Sequence, residues 1–399
     1  MRILISTWSL QVGGGEVLAM NLAAELQRRG HEVYVFNQRA ELIDHDLVAR
    51  LLPPQVKVLS MADNPKSTFW AYKINALQGL LGRPATFYNQ RQQAYLVECL
   101  LRYKIDVVSS HATVSDDICA PVVERLGLPL VITEHGEYTK FLQEGRRDFL
   151  PVLQVAKRIL AVSDYCRHKL ERAFPSLPPV QTVYNGVITE AHAAETTRRA
   201  LAIPAEAFVF GMVARGIEDK GWRYAVQAFQ QVKAALPARA LRLVLVGGSP
   251  YLKTLADEYA TDPDIIFTGQ VPNPDFYVAG FDVGLLPTYF RAEALPLAII
   301  EYMVSGKPSI ATRVGGIPEL LEPSAGHTGQ LVDIEAETYT PKLRMLTEAM
   351  VRYCTEPVLY AAHAAHCRQA SQEFSMAACA EHYEQAFSAA LHSTVNSAT

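Results

Sequence analysis

Residues 208–246 read FVFGMVARGIEDKGWRYAVQAFQQVKAALPARALRLVLV. Two short runs rich in β-branched and apolar residues, Phe208–Val213 and Leu241–Val246, bracket a helical pattern, Trp222–Ala235. Strand, helix, strand is the signature of a β-α-β unit. Both runs are apolar on both faces, which predicts a parallel sheet covered by helices on either side.

The same alternation continues in both directions. Toward the C-terminus, strand-like runs recur at 265–268, 282–285, 308–311 and 329–332, with helical stretches at 250–259 and 297–305. Toward the N-terminus they recur at 2–6, 32–36, 56–59, 106–109, 130–133, 158–162 and 180–184, separated by helical stretches such as 16–29 and 115–126. Residues 189–206 hold no strand pattern and end in a Pro turn. The fold class is therefore α/β, with two doubly wound Rossmann-like domains expected to face each other across a cleft. The expected division is 1–190, a linker at 191–206, a second domain at 207–373, and a final amphipathic helix over 374–392 with Ser375 as its N-cap.

Composition excludes several classes. The 399 residues are 49% hydrophobic and 20% charged, which is ordinary for globular chains. A net charge of −4 argues against nucleic acid as a partner. Residues 1–190 carry +2 and the remainder −6. Six cysteines without a CxxC pair suggest reduced thiols and a cytoplasmic setting. No run reaches the roughly 18 apolar residues that span a bilayer, and the first residues read as a strand rather than a signal peptide.

In open α/β sheets, ligands bind beyond the C-terminal ends of strands, so the loops there carry the chemistry. Gly13, Gly14 and Gly15 follow the first strand and lead into a helix, where backbone can approach a phosphate or a sugar. A dinucleotide fingerprint fails twice: Leu18 stands where the third glycine belongs, and the second strand ends Phe36-Asn37 without an acid. Arg215 and Lys220 follow the strand at 208–213 and sit before Gly221 and a helix, a credible diphosphate clamp. Residues 293–301 read EALPLAIIE. Pro296 fits the first position of a helix, leaving the amides of Leu297 and Ala298 at its mouth. Glu293 and Glu301 would repel a diphosphate, so hydroxyls are their natural partners.

With these residues in place the chain resembles the family 4 glycosyltransferases, retaining, nucleotide-sugar-dependent enzymes of GT-B fold. The resemblance runs in order through GGGEVLAMNLAAELQRRGHEV (13–33), TEHG (133–136), AVSDYCRHKL (161–170), VYNGV (183–187), the segment 211–229, LRLVLVGGSP (241–250), IIFTGQV (265–271) and residues 293–320. It implies that Glu293 holds the hydroxyls of the donor sugar, Glu301 the ribose, and Arg215 and Lys220 the diphosphate. It implies that His135 contacts the transferred sugar, that Leu295, Leu297, Ala298, Val271 and Gly247 line the donor site, and that the glycines 13–15 lie near phosphate and acceptor. The implied reaction moves a hexose from a UDP- or GDP-linked sugar to a hydroxyl of a sugar or lipid-linked acceptor, in cell-surface polysaccharide or glycolipid biosynthesis. No cofactor and no metal are implied. A sugar phosphorylase, a nucleotide-sugar epimerase and a non-catalytic nucleotide-sugar-binding subunit are the alternatives on the same scaffold.

Two departures stand out. Ala294-Leu295-Pro296 replaces the frequent Gly/Ser-Phe-Gly, and Pro296 cannot donate an amide. Gly15-Glu16-Val17 replaces a common Ala-Glu-Arg, removing one cation. Asp44-His45-Asp46 and Asp262-Pro263-Asp264 spell DxD but lie in polar turns, and His363, His366 and Cys367 fit no common zinc spacing. Arg83, Arg91, Arg102 and Lys104, interleaved with Trp70, Phe87, Tyr88 and Tyr95, leave two readings open: a peripheral membrane-facing surface or a solvated helical hairpin.

Overall fold

The computed structural model describes residues 1–396. The chain forms two compact units, Met1–Gly186 with the C-terminal helix Met376–Asn396, and Val187–Ser375.

The first unit carries β1 (Arg2–Thr7), β2 (Glu32–Asn37), β3 (Lys57–Ser60), β4 (Val107–Ser110), β5 (Leu130–Glu134), β6 (Arg158–Ala161) and β7 (Val180–Thr182). They form one parallel sheet in the order β3-β2-β1-β4-β5-β6-β7. The reversal of order beside β1 is the switch point of a doubly wound sheet. Helices cover both faces, and Ile3, Leu4, Ile5, Val33, Val35, Val107 and Val131 are fully or almost fully buried. The second unit carries β8 (Phe208–Val213), β9 (Leu241–Val246), β10 (Ile265–Gly269), β11 (Val283–Leu286), β12 (Ser309–Thr312) and β13 (Gly329–Val332). Its parallel order is β10-β9-β8-β11-β12-β13, the same winding again.

Each strand lies within two residues of its expected place. Boundaries between the units differ more. The first unit ends at Gly186, and the expected linker is partly helical, with Ala194–Ala200 forming a helix of the second unit. Thr197 is fully buried there and donates to the Phe276 carbonyl at 2.6 Å, while Arg198 pairs with Asp282 at 2.8 Å. The polar sequence AETTRRA hid this helix, because it docks through a hydroxyl and a guanidinium rather than an apolar stripe.

The last helix, Met376–Asn396, closes the core of the first unit. Met376, Cys379, Ala380, Tyr383, Ala386, Phe387 and Ala390 recur at helical spacing and join the cluster of Leu18, Leu22 and Leu26. Glu384 receives Arg29 at 2.6 Å and His31 at 2.6 Å on the same side. Among the described residues no helix is long and apolar enough to cross a membrane.

Beneath the C-terminal ends of β1 and β4 lies a buried polar group: Ser6, Gln38, Ser110, Ser115 and Asp116. Ser115 Oγ donates to Ser6 Oγ at 2.7 Å, and Tyr138 Oη donates to Asp116 Oδ2 at 2.7 Å. Burial pushes the Asp116 carboxyl up to about 8, against hydrogen bonds from Ser110 and Tyr138 that favour the charged form. Between the ordinary aspartate value and pH 8 the native state thus holds a proton that the unfolded chain has released. That contribution to stability is full below the unfolded value and is lost as pH rises through the native one. Asp116→Asn should flatten the dependence, whose slope is at most about 1.4 kcal/mol per pH unit. Thermal melts of both proteins from pH 5 to pH 8.5 should diverge upward in favour of the variant; parallel curves would rule the buried proton out.

Candidate active site

In the second unit the site is built where β8, β11 and β12 end. Gly221 has φ +85°, and a Cβ there would strike the Pro287 carbonyl. That glycine lets residues 219–221 lie directly on the loop after β11. The Asp219 carbonyl accepts from Tyr289 N at 2.8 Å and from Thr288 Oγ1 at 3.2 Å. The clamp of these loops brings Lys220 Nζ to Glu293 Oε2 at 2.5 Å, with both side chains over nine-tenths buried. Thr288 Oγ1 lies 3.1 Å from the same Glu293 oxygen.

The backbone of Glu293 is fixed from the other side. Gly315 has φ +58°, and the Glu293 carbonyl occupies the place a Cβ would need. Gly316 N donates to the Ala294 carbonyl at 2.9 Å. The Val314-Gly315-Gly316 segment therefore acts as the seat for the glutamate loop.

Pro296 is not the first helical residue but the N-cap, with φ −72° and ψ 122°. Its extended ψ turns the carbonyl inward to accept from Ile299 N at 3.2 Å, so the helix proper is Leu297–Val304. The amides of Leu297 and Ala298 still open that helix, at the positive end of its dipole. Glu301 is half-buried on the helix, and burial, helped by the Asp275 carboxylate, raises its carboxyl to about 7.

Arg215 is exposed, its guanidinium carbon 5.5 Å from the Phe290 ring centre, and Lys220 Nζ lies 4.9 Å from the same centre. One aromatic ring thus holds both expected cations on its surface. Phe290 and Thr288 were not legible as site residues in the sequence. Their only signal is position, immediately before Glu293 at a strand end. Gly247 packs at the end of β9, where a Cβ would meet the Ala214 carbonyl at 2.5 Å and the Trp222 ring at 3.1 Å. Half-buried Val271 follows β10 and packs against the cluster of Val244, Val246 and Tyr302. Leu295 is buried beside Glu293.

In the first unit, Gly13 is the N-cap of the helix Gly14–Arg28, in extended conformation. A Cβ at Gly13 would collide with the Glu16 carboxylate, so the positive end of this helix already meets an anion of its own chain. Gly15 lies flat over His135, with a hypothetical Cβ 3.7 Å from the ring. His135 follows β5 and is set by its neighbours in the sequence. Buried Glu134 accepts from Tyr138 N at 3.1 Å and Thr139 N at 2.8 Å, and Gly136 turns the chain at φ +106°. His135 Nε2 lies 3.2 Å from His111 Nδ1, and His111 Nε2 lies 3.0 Å from Ser109 Oγ. Burial lowers His135 to about 4 and holds His111 well below the ordinary imidazole value, with His135 adding to the effect. Both rings are neutral at pH 7. His111 was missed because Ser109-Ser110-His111 spells no motif; only the parallel pairing of β4 with β5 brings the two histidines side by side.

The DxD stretches have structural work. Asp44 accepts from Leu47 N as a helix cap, and Asp262 and Asp264 both pair with Lys233. His363 Nδ1 lies 2.7 Å from Tyr353 Oη, and Cys367 Sγ donates to the Thr328 carbonyl. One grouping among the described residues brings metal-ligand atoms together: Glu190, His192 and Asp275, within 4.8 Å of one another, with Glu190 exposed.

Comparison with known proteins agrees with this layout. Residues 12–191 match the family model described as Glycosyltransferase Family 4, and residues 207–349 match that described as Glycosyl transferases group 1. A Bacillus subtilis (strain 168) protein named as a teichuronic acid biosynthesis glycosyltransferase is 27% identical over 63% of this chain and 62% of its own length, so the match spans under two thirds of that relative. N-acetyl-alpha-D-glucosaminyl L-malate synthase of Bacillus anthracis is 24% identical over 81% of each chain. Among solved structures, Anabaena HepE, in complex with UDP and glucose, superposes with a TM-score of 0.74 at 20% identity, covering 97% of this chain and 99% of that one. Two doubly wound sheets and family matches over most of its length identify the chain as a member of the family 4 glycosyltransferases, with GT-B fold.

Proposed function

We propose that the protein transfers a hexose from a UDP- or GDP-linked sugar to an acceptor hydroxyl, with retention of configuration and without a metal ion, in the making of a cell-surface polysaccharide or glycolipid. The observation that carries this reading is the buried Lys220–Glu293 pair beside Arg215 and the opening of the helix Leu297–Val304. Two cations and two helix amides suit a diphosphate that gains charge as the glycosidic bond breaks. Lys220 and Arg215 stabilise that leaving group. Glu293, already holding Lys220, accepts from hydroxyls of the donor sugar, and Glu301 accepts from the ribose. His135, neutral, contacts the transferred sugar. Among the described residues no side chain stands out as a base for the acceptor. In a retaining reaction of this kind, a departing phosphate oxygen takes the acceptor proton, leaving the protein positioning and charge stabilisation. HepE, with 20% identity and bound UDP and glucose, supports the donor class.

Acceptor delivery draws on a second surface. The helix Pro65–Leu80 buries only Thr68 and Ala71. Lys66, Trp70, Lys73, Leu77 and Leu80 form one exposed stripe at spacings of three and four, with Phe69 and Leu81 at its side. Trp70 is 63% and Leu80 85% exposed. Tyr88, by contrast, is buried and Phe87 and Tyr95 are half-buried, so the aromatics expected at this surface divide between core and exterior. Lysines among exposed apolar side chains suit an anionic lipid surface.

Three outcomes follow. Lys220→Ala and Glu293→Ala should each lower transfer about 100-fold or more, read as nucleotide released from a panel of UDP- and GDP-sugars, with the circular dichroism of a folded chain retained although the buried charge left unpaired lowers the melting temperature. Near-normal turnover in either variant would remove that residue from the mechanism. Affinity for the nucleotide sugar should rise between pH 6 and pH 8 as Glu301 ionises and becomes a pure acceptor, since the donor's diphosphate diester does not titrate there. Glu301→Gln should bind with a flat profile. Vesicles containing phosphatidylglycerol should sediment the protein while phosphatidylcholine vesicles do not, and Trp70→Ser with Leu80→Ser should abolish the difference; equal recovery with both lipids would leave the helix a solvated one.

A further inference from the structure

Ser109, His111 and His135 form a single file of side chains at the ends of β4 and β5. Ser109 is fully buried and His111 is 4% exposed, so neither finds bulk water. Tyr383, from the C-terminal helix, stacks on His111 with ring centres 5.8 Å apart and planes at 12°, and its hydroxyl lies 3.1 Å from Thr133 Oγ1. The file ends at His135, beneath Gly15.

We propose that His111 is a positioning residue, which, through Ser109 and Tyr383, fixes the tautomer and ring orientation that His135 offers to the donor sugar. The proposal rests on the reading that His135 contacts that sugar.

One proton is shared between His111 Nδ1 and His135 Nε2, 3.2 Å apart. If His111 is protonated at Nδ1 it donates to His135, and the His135 proton must sit on Nδ1. If His111 is protonated at Nε2, its Nδ1 accepts from His135 Nε2, and His135 Nδ1 is a bare acceptor. The state of His111 therefore decides whether His135 is a donor or an acceptor at its other nitrogen. Ser109 chooses between them. A buried hydroxyl that donates to nothing costs more than one whose lone pairs go unused. His111 Nε2, at 3.0 Å, is the acceptor the structure gives it. Ser109 therefore donates to His111, His111 donates to His135, and His135 presents Nδ1–H, a donor matched to a sugar oxygen. The flat Tyr383 ring keeps the His111 plane from rotating, which ties the C-terminal helix to the same task.

Nitrogen-15 NMR of the imidazoles, together with kinetics, tests this. In the wild type the His135 signals should report the Nδ1–H tautomer. His111→Leu should shift His135 toward the mixture of free imidazole and lower kcat by roughly 10- to 100-fold, with the KM for donor nearly unchanged. His111→Asn, whose amide can donate from the place of Nδ1, should restore most of the rate. Ser109→Ala removes little volume and should perturb the His135 tautomer even if the leucine variant folds poorly. Adding His111→Leu to His135→Ala should cost nothing further. An unchanged tautomer in Ser109→Ala and a full additive loss in the double variant would overturn the proposal. Wild-type rates in His135→Ala would instead overturn the reading on which it rests.

Discussion

The contact on which the candidate site of the second unit depends is the ion pair between Lys220 and Glu293, two side chains that come from loops 73 residues apart and lie over nine-tenths buried. Two charges taken out of water cost several kcal/mol each unless they meet with good geometry, and breaking such a pair by removing one partner is more destructive than replacing both. The surrounding backbone reflects that cost. Gly221 and Gly315 each adopt a left-handed conformation, and each has a carbonyl where a side chain would begin, Pro287 for one and Glu293 for the other. No other residue type fits both demands at once. The glycines bring two loops into contact closely enough for an amine to reach a carboxylate, and Thr288 and Asp219 lock the arrangement with hydrogen bonds.

This explains which parts of the molecule were legible in the sequence. Strands were readable because parallel strands buried on both faces form unbroken apolar runs, and each appeared within two residues of its place. Arg215, Lys220, Glu293 and Glu301 were readable as candidates because they stand at strand ends or beside a helix start, where α/β sheets bind ligands. Thr288, Phe290 and His111 were not, because their importance lies in contacts between neighbouring strand ends that the order of residues does not display. Pro296 was misplaced by one position for a related reason. Its fixed φ suits both the N-cap and the first helical residue, and only ψ, which the ring does not fix, separates them. The helix Ala194–Ala200 escaped notice because its anchors are Thr197 and Arg198, polar groups that periodicity of apolar residues cannot detect.

The two units solve recognition in different electrical terms. The second unit assembles charge: a lysine–glutamate pair, an arginine on an aromatic ring, and the opening of a helix. The first unit removes it. His111 and His135 are held neutral by burial, its glycine loop has the Glu16 carboxylate against the helix start, and its buried Ser6, Ser109, Ser110 and Ser115 are uncharged hydroxyls. Neutral donors and acceptors discriminate hydroxyl patterns without attracting phosphate, which is what the proposed contact of His135 with a sugar requires.

Net charge would have predicted the reverse division, since the first 190 residues carry +2 and the rest −6. The contradiction dissolves once distance is considered. Charges on the surface beyond about 10 Å are screened at ordinary ionic strength, so the acidic excess of the second half says little at Lys220. Several of its acids are also spoken for: Asp262 and Asp264 by Lys233, Asp282 by Arg198, Glu322 by Arg313. Locally, Lys220 is balanced by Glu293, which leaves exposed Arg215 and the opening amides of Leu297 and Ala298 as the positive features of this site in a chain that is acidic overall.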